Sequence, residues 1–262
     1  MKVLITGMRG TVGTALQHYL ASQGVDCVAW DRQQASWQDF EGMLAYLQRI
    51  QPTMLFHLAS DSQPTGVANE GWRVTVDWTR DLAYLAYELG IRFLFTSSVM
   101  VFTDQAKGYF TVNSQPDAAE GYGYEKWVGE QEALRVNPEA VIARLGWQIG
   151  QAGNNNMVDF CNRQMEREGR ILASQRWYPA CSFLEDTVEA LFRLAQQGRG
   201  LYLVDSNAGW TFYQIVEALN QALGADWVVQ PSNDFIYDQR MVDPRVRMPW
   251  LDVRLPGLSP LR

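Results

Sequence analysis

The stretch Lys2-Val-Leu-Ile-Thr-Gly7-Met-Arg-Gly10-Thr-Val-Gly13, at the N-terminus, decides the fold. Its apolar run suits a strand, its three glycines suit a tight turn, and residues 12–22 then carry apolar side chains at helical spacing. A glycine turn between a strand and a helix can bring backbone N–H groups to a pyrophosphate. The spacing is not G-x-G-x-x-G, however, so by itself the turn suits an ordinary strand-to-helix connection equally well.

Beyond this stretch, short apolar runs alternate with helical patterns through the first 150 residues. Strands are predicted at 2–6, 25–30, 53–59, 92–98 and 140–146, and helices at 41–50, 75–89 and 121–134. The alternation predicts an α/β fold with a doubly wound parallel sheet, the Rossmann arrangement. We expect residues 1–150 to form a dinucleotide-binding domain.

After Gly150 the alternation loosens at a polar stretch over 150–156. Helices are predicted at 157–168, at 184–197 and from the capping Thr211 to Leu223, strands at 200–205 and 227–230, and a loop at 177–179. We therefore expect residues 151–262 to form mainly a small substrate-binding lobe, with segments that return to the Rossmann core.

The composition excludes several classes of protein. With 47% hydrophobic and 19% charged residues the chain is not disordered, and a formal charge of −7 without a basic run argues against nucleic acid. Three widely spaced cysteines suit a reducing compartment, and no apolar stretch is long enough to span a membrane. His18 and His57 lack neighbouring ligands, so we predict a cytoplasmic protein without a metal site.

An acidic residue, Asp31, lies at the end of the second predicted strand, 21 residues beyond Gly10. A carboxylate in that position can accept hydrogen bonds from the hydroxyls of an adenosine ribose. The next residue, Arg32, can instead meet a 2′-phosphate. The pair therefore predicts NAD(P)H as the cofactor and leaves the choice between NADH and NADPH open.

A tyrosine and a lysine, Tyr122 and Lys126, lie four residues apart and hence on one face of the predicted helix. A nearby cation favours the phenolate of a tyrosine, so we expect Lys126 to lower the pKa of Tyr122. Ser97 and Ser98 end the fourth strand, at the edge where open α/β sheets bind ligands, and alternation points them to opposite faces. Either hydroxyl is a candidate to hold a substrate carbonyl beside the tyrosine.

Taken in order, these features resemble an extended short-chain dehydrogenase/reductase, with dTDP-4-dehydrorhamnose reductase as the most similar branch. The resemblance rests on the glycine turn, the acidic strand end, Ser98-Val-Met-Val-Phe, Tyr122-Gly-Tyr-Glu-Lys-Trp-Val-Gly-Glu130 and Arg144-Leu-Gly-Trp147. Leu201-Tyr-Leu-Val204 also resembles a later strand of the family, so the likeness covers nearly the whole chain. It implies NAD(P)H-dependent reduction of a 4-keto nucleotide sugar.

The resemblance also assigns roles by position. Ser98, rather than Ser97, matches the catalytic hydroxyl residue, Tyr122 matches the proton donor and Lys126 matches its partner, which orients the ribose. The implied cofactor-binding residues are Gly7, Arg9, Gly10, Thr11, Val12, Gly13, Asp31, Arg32, Ala59, Ser60, Tyr122 and Lys126. The implied substrate-binding residues are Ser98, Val99, Trp147, Arg176 and Trp177, with Tyr178 beside them.

Some positions depart from the family pattern. Ser36 stands where the family usually has an adenine-contacting Asp, which Asp39 can replace only if the loop is rearranged, and Thr75 stands at a usual Asn position. The sequence ends soon after Asp252, without the family's last helix, which argues against a family-type dimer or magnesium site and leaves a homodimer as an open alternative. Two alternatives stay open: a cofactor-binding regulatory subunit without turnover, and an epimerase or dehydratase on the same fold.

Overall fold

The strand, turn and helix at the N-terminus form as predicted, since β1 (Lys2–Thr6) leads through the glycine turn into α1 (Thr11–Ser22). A computed structural model of the chain describes residues 1–60, 66–151 and 155–258. The middle of the polar stretch predicted at 150–156, residues 152–154, lies outside the described residues. None of the described helices is long and apolar enough to cross a membrane.

The remaining strands follow in chain order: β2 (Asp26–Ala29), β3 (Met54–His57), β4 (Arg92–Ser98), β5 (Val141–Leu145), β6 (Trp147–Ile149), β7 (Ile171–Ser174), β8 (Trp177–Tyr178), β9 (Cys181–Phe183), β10 (Gly200–Val204), β11 (Val229–Ser232) and β12 (Tyr237–Asp238). The remaining helices are α2 (Phe40–Ile50), α3 (Glu70–Trp72), α4 (Trp78–Glu88), α5 (Gly121–Val136), α6 (Met157–Glu168), α7 (Leu184–Gln197), α8 (Phe212–Leu223) and α9 (Leu251–Arg254).

The central sheet has six parallel strands in the order β2-β1-β3-β4-β5-β10. From β1 the chain first steps outward to β2 and then crosses back to β3 on the other side of β1. This reversal is a topological switch point, and the crevice outside the carboxyl ends of β1 and β3 is where such sheets bind ligands. The predicted α/β Rossmann fold is confirmed.

Helices cover both faces of the sheet. One face buries apolar side chains of α1 and α7, such as Leu16, Leu20 and Leu191, against the strands. The other face buries side chains of α2, α4 and α5 in a separate cluster that contains Leu47 and Leu82. Because both faces are covered, the strands read as nearly continuous apolar runs, which is how the sequence revealed them.

A third apolar cluster begins at Ile149 and is formed mainly by α6, α8, α9 and β7. Three two-stranded parallel pairs accompany it: β7 with β11, β8 with β12, and β6 with β9. The chain also returns to the main sheet through α7 and β10. The division at residue 150 stays a prediction.

A buried carboxylate after β10 connects this lobe to the sheet edge. Asp205 accepts hydrogen bonds from the backbone N–H groups of Cys181 (2.9 Å), Asn207 (2.9 Å) and Met241 (2.8 Å). It thereby joins the end of β10 to β9 and to the segment after β12. Side-chain acceptors of this kind satisfy irregular backbone that has no ladder partner.

Several elements differ from their predictions, and the short elements β6, β9, β12 and α9 were not predicted. The single helix expected over 75–89 is α3, a π-helical segment (Arg73–Asp77) and then α4. The last predicted strand, expected at 227–230, is β11 at 229–232. The loop expected at 177–179 contains β8. In each case pairing or packing with a distant segment, which local periodicity does not report, sets the boundary.

Candidate active site

The end of β4 and the start of α5 bring Ser98 and Tyr122 together. The Ser98 hydroxyl oxygen accepts a hydrogen bond from the Met100 N–H (3.1 Å), and Ser98 also hydrogen-bonds to the Tyr122 side chain. The close approach depends on Gly123, because a Cβ there would lie 2.9 Å from the carbonyl carbon of Met100. A side chain at this position would push the start of α5 away from β4.

Tyr122 has a raised pKa. Its residue as a whole is 41% exposed, but burial around the hydroxyl raises the pKa to about 12, and the hydrogen bond from Ser98 lowers it only in part. The net shift of the Tyr122 pKa is therefore upward, opposite to the predicted direction, because burial outweighs the influences that lower it. A tyrosine with a pKa of about 12 holds its proton at neutral pH and is therefore fit to be a proton donor.

Lys126 lies directly under the tyrosine and is 2% exposed. Its Nζ donates a hydrogen bond to the Thr96 carbonyl (2.9 Å) and lies 4.5 Å from the centre of the Phe95 ring and 5.6 Å from that of Tyr122. Burial lowers the pKa of Lys126 to about 8, although the charges of Glu130 and Glu125 oppose the shift. The lysine is thus an ammonium at neutral pH, held within cation–π distance of both rings.

The neighbouring Ser97 points into the protein instead. It donates a hydrogen bond to Glu130, which also accepts two hydrogen bonds from Arg144, from Nε (2.8 Å) and from a terminal nitrogen (2.7 Å). Glu130 and Arg144 are both nearly inaccessible to solvent. The two serines therefore have different environments, and this geometry supports Ser98 as the hydroxyl that faces a ligand.

The glycine turn leaves the N-terminus of α1 open. Its N-cap residue is Gly10, no described side chain caps the first N–H groups, and the first turn carries no acidic residue. A Cβ on Gly13 would overlap the Gly7 carbonyl oxygen and lie 2.7 Å from the Met8 Cα. Uncapped N–H groups and the helix dipole make such an end suitable for an anion, so the residues present fit a dinucleotide pyrophosphate.

This geometry makes the variant Gly13→Ala informative. The added methyl group must displace the backbone of the turn, so we expect the dissociation constant for NADH or NADPH to rise roughly tenfold or more. Fluorescence titration of the reduced cofactors measures the effect. Gly24→Ala is the control, since a Cβ on Gly24 would meet no atom within 4 Å and the residue lies beyond the other end of α1. Gly24 has φ +66°, so this variant can lower Tm, but we expect it to leave cofactor affinity unchanged. Equal affinities for Gly13→Ala and the wild type would contradict the prediction.

Asp31 and Arg32 follow β2 and lie at the carboxyl edge of the sheet, as the glycine turn does. The Asp31 carboxylate accepts hydrogen bonds from the Gln34 side chain and the Gln33 N–H, which lower its pKa. The exposed Arg32 guanidinium lies over the Trp78 ring, 5.6 Å from its centre. Both residues are therefore available at the crevice, and the preference between NADH and NADPH stays open.

Asp39, considered above as a substitute at the adenine position, has another role. It is the N-cap residue of α2, and its carboxylate accepts a hydrogen bond from the Gly42 N–H (3.0 Å). Ser36 lies in the preceding loop and accepts a hydrogen bond from the Gln38 N–H. The loop is not rearranged to bring Asp39 into the place of Ser36.

Two of the predicted substrate-binding aromatics, Trp147 and Trp177, are brought together. Their rings stack with centres 6.0 Å apart, and both also contact Phe212. Arg176 is exposed just before Trp177. Val99, in contrast, is 4% exposed and packs in a core cluster with Phe102, and its role in substrate binding stays a prediction.

On the far side of the glycine turn, Ala59 and Ser60 follow β3. Ala59 is buried, and a Cβ on Gly7 would lie 2.8 Å from its backbone nitrogen. Ser60 is half-buried. The described residues contain no group of three or more His, Cys, Asp and Glu side chains that could hold a metal ion.

Comparison with known proteins adds independent information on this architecture. The sequence model of the family described as "RmlD substrate binding domain" matches residues 1–232. The spore coat polysaccharide biosynthesis protein SpsK of Bacillus subtilis is 21% identical over 232 residues, 87% of this chain and 81% of that protein. A dTDP-4-dehydrorhamnose reductase of Mycobacterium tuberculosis is 27% identical over 216 residues, 79% of this chain and 70% of the enzyme.

Solved structures show the same fold. The crystal structure of dTDP-4-dehydrorhamnose reductase from Bacillus anthracis in complex with NADP superimposes with a TM-score of 0.82. The two chains are 19% identical, and the match covers 97% of this chain and 96% of the other. At this identity the likeness is one of fold, and the chemistry has to be argued from the residues of the site.

Proposed function

This chain belongs to the RmlD substrate binding domain family, and on that premise we propose that it is an NAD(P)H-dependent reductase of a 4-keto nucleotide sugar. The observation that carries the proposal is that Tyr122 lies above the buried Lys126, 5.6 Å from its Nζ to the ring centre, beside Ser98 at the carboxyl end of β4. The relatives named as dTDP-4-dehydrorhamnose reductases support a substrate of this class.

The cofactor fits the crevice at the switch point. The open N-terminus of α1 and the glycines at 7, 10 and 13 are suited to the pyrophosphate, with Arg9, Thr11 and Val12 in the same turn. We assign Asp31 and Arg32, which follow β2, to the adenosine side, Ala59 and Ser60, which follow β3, to the opposite wall, and Tyr122 and Lys126 to the nicotinamide side. When bound, the reduced nicotinamide supplies the hydride.

The residues of the chain supply the proton. Tyr122 donates its phenolic proton to the keto oxygen, which it can do because its pKa of about 12 keeps it protonated at neutral pH. The Met100 N–H holds the Ser98 hydroxyl beside Tyr122. When the keto oxygen lies between the two side chains, Ser98 turns its proton from Tyr122 to that oxygen. Lys126 places a positive charge 5.6 Å from the centre of the tyrosine ring, where it stabilises the phenolate that forms.

The aromatic cluster is the proposed substrate side. Trp147 and Trp177 present stacked rings, and the exposed Arg176 precedes them. Aromatic faces suit nucleobases and sugars, and a guanidinium suits a diphosphate. A nucleotide sugar combines these three chemical groups, so the residue types in the lobe support the proposal.

A two-step measurement tests the proposal. We expect NADH or NADPH to bind, as followed by nicotinamide fluorescence, and dTDP-4-dehydrorhamnose to cause loss of absorbance at the reduced-cofactor band. Binding without oxidation would favour a regulatory subunit or another substrate. Product formation without net cofactor consumption would favour an epimerase or dehydratase. Failure to bind either cofactor would exclude all three.

A further inference from the structure

His57 ends β3, and its ring is enclosed by two threonine hydroxyls. Its Nδ1 lies 2.8 Å from the Thr6 hydroxyl oxygen and its Nε2 lies 3.0 Å from the Thr79 hydroxyl oxygen. All three residues are fully buried. The rings of Trp78 and Phe95 cover the imidazole, with centres 5.0 and 5.5 Å from it. Both ring nitrogens thus have partners within the protein.

The direction of these hydrogen bonds follows from the partners. The Thr79 hydroxyl donates its proton to the Thr75 carbonyl (2.7 Å), so toward His57 its oxygen can only accept. Nε2 therefore carries the imidazole proton, and Nδ1 accepts from the Thr6 hydroxyl. Burial lowers the pKa of His57 to about 3, with the charge of Lys126 acting in the same direction, so the ring is neutral.

The first end of this hydrogen-bond chain lies at the cofactor crevice. The Thr6 hydroxyl oxygen accepts hydrogen bonds from the N–H groups of Leu58 (3.1 Å) and Ala59 (3.2 Å). The Ala59 backbone in turn lies close to Gly7, because a Cβ added to Gly7 would be 2.8 Å from the Ala59 nitrogen. Thr6 thus sets the distance between the end of β3 and the glycine turn.

The other end lies beside the helix that carries Tyr122 and Lys126. The Thr75 carbonyl belongs to the π-helical segment, and a Cβ on Gly129 of α5 would be only 2.6 Å from it. A π-helical turn inside a helix often accompanies a functional site. The chain of hydrogen bonds therefore runs from the neighbourhood of α5, through His57, to the wall of the crevice.

From this geometry we propose that His57 is a positioning residue, acting together with Thr6 and Thr79. The three side chains hold the Leu58–Ala59 backbone at a fixed distance from the glycine turn, and a nicotinamide dinucleotide requires that distance in order to bind. The inference rests on the proposed cofactor binding and deepens it. No atom of the three side chains has to touch the cofactor. They affect cofactor binding through the Leu58 and Ala59 backbone N–H groups, which donate hydrogen bonds to Thr6.

The variant Thr6→Val tests this positioning role, because it keeps the side-chain shape and removes the hydroxyl. The Ala59 N–H then loses its acceptor, and we expect the dissociation constant for NADPH or NADH to rise by about tenfold. Thr6→Ser restores a hydroxyl, so its affinity should return to within about twofold of the wild type. Fluorescence titration of both reduced cofactors measures each variant.

The matched control is Thr187→Val. Thr187 is also fully buried and shares a hydrogen bond with Ser182 (2.7 Å), on α7 and β9, outside the His57 network. We expect it to lower Tm about as much as Thr6→Val while leaving cofactor affinity unchanged. If Thr6→Val binds cofactor like the wild type and only Tm falls, the hydroxyl is merely structural and the proposal is wrong.

Nitrogen-15 NMR of the imidazole provides a test that needs no cofactor. We expect His57 to be the Nε2–H tautomer, with His18→Gln identifying the signals of the other histidine. A proton on Nδ1 would overturn the network. If the wild-type protein shows the expected tautomer and binds neither NADH nor NADPH, the proposed function fails, and the positioning role fails with it. If the wild-type protein binds a reduced cofactor and the Thr6→Val variant binds it with the same affinity, only the positioning role fails.

Discussion

Replacing Tyr122 with phenylalanine is expected to lower kcat of the proposed reduction by about 10²- to 10⁴-fold, the range that a general acid contributes. Phenylalanine keeps the ring that lies above Lys126 and removes the only atom that can donate a proton from that position. The hydrogen bond with Ser98 is lost as well. Because the glycine turn and Lys126 are untouched, cofactor affinity should change much less than kcat.

The comparison that isolates this effect is Tyr124→Phe. Tyr124 lies on the same helix, half-buried, with its ring against Trp72 and Trp127 instead of the β4 edge. Its loss of a hydroxyl should leave kcat within about twofold, since this ring packs against Trp72 and Trp127 and lies outside the proposed proton path. A Tyr122→Phe enzyme with near-wild-type kcat would remove Tyr122 from the proton-donor role.

The sequence predicted the fold well because the sheet and its helices are local patterns repeated along the chain. Buried parallel strands read as apolar runs, and the helices between them show an apolar face. The glycine turn was predictable for the same reason, since both its neighbours are regular elements. Where a boundary depends on a distant partner, as in the π-helical segment beside Gly129, local periodicity gave a single uninterrupted helix.

The sequence predicted which positions form the candidate site, but it did not predict how deeply their side chains are buried or which groups they contact. Spacing places Tyr122 and Lys126 on one helical face, yet it does not report that Lys126 is 2% exposed and donates to the Thr96 carbonyl. The pKa of Tyr122 therefore moves in the opposite direction from the one that charge alone suggests. Burial depends on every element packed around a group, which is information that a motif does not contain.

Long-range hydrogen bonds are the other missing information. Asp39 has the residue type that the adenine position needs, but the cap of α2 uses it. Thr6, His57 and Thr79 are separated by up to 73 positions, counting from 6 to 79, and nothing in their local sequence links them. The Ser97–Glu130–Arg144 group was missed in the same way, although Glu130 stands in the motif that begins at Tyr122.

That group leads to the largest expected effect on stability. Glu130→Gln should lower the free energy of unfolding by about 3–5 kcal/mol, the usual cost of removing one partner of a buried ion pair. The carboxylate accepts two hydrogen bonds from Arg144 and one from Ser97, and both charged side chains are nearly inaccessible. Glutamine leaves the Arg144 charge buried without a counter-ion. Urea unfolding followed by tryptophan fluorescence measures the loss.

Two further variants distinguish between two causes of a stability loss: a buried charge without a counter-ion, and a general destabilisation of α5. Glu132→Gln removes the acid of an exposed pair with Arg135 on the same helix, and we expect at most about 1 kcal/mol of destabilisation. The double variant Glu130→Leu/Arg144→Met removes both charges at similar volume and should recover most of the stability that Glu130→Gln loses. A double variant as unstable as Glu130→Gln would mean that α5 requires the hydrogen bonds themselves and not only the absence of an unpaired charge.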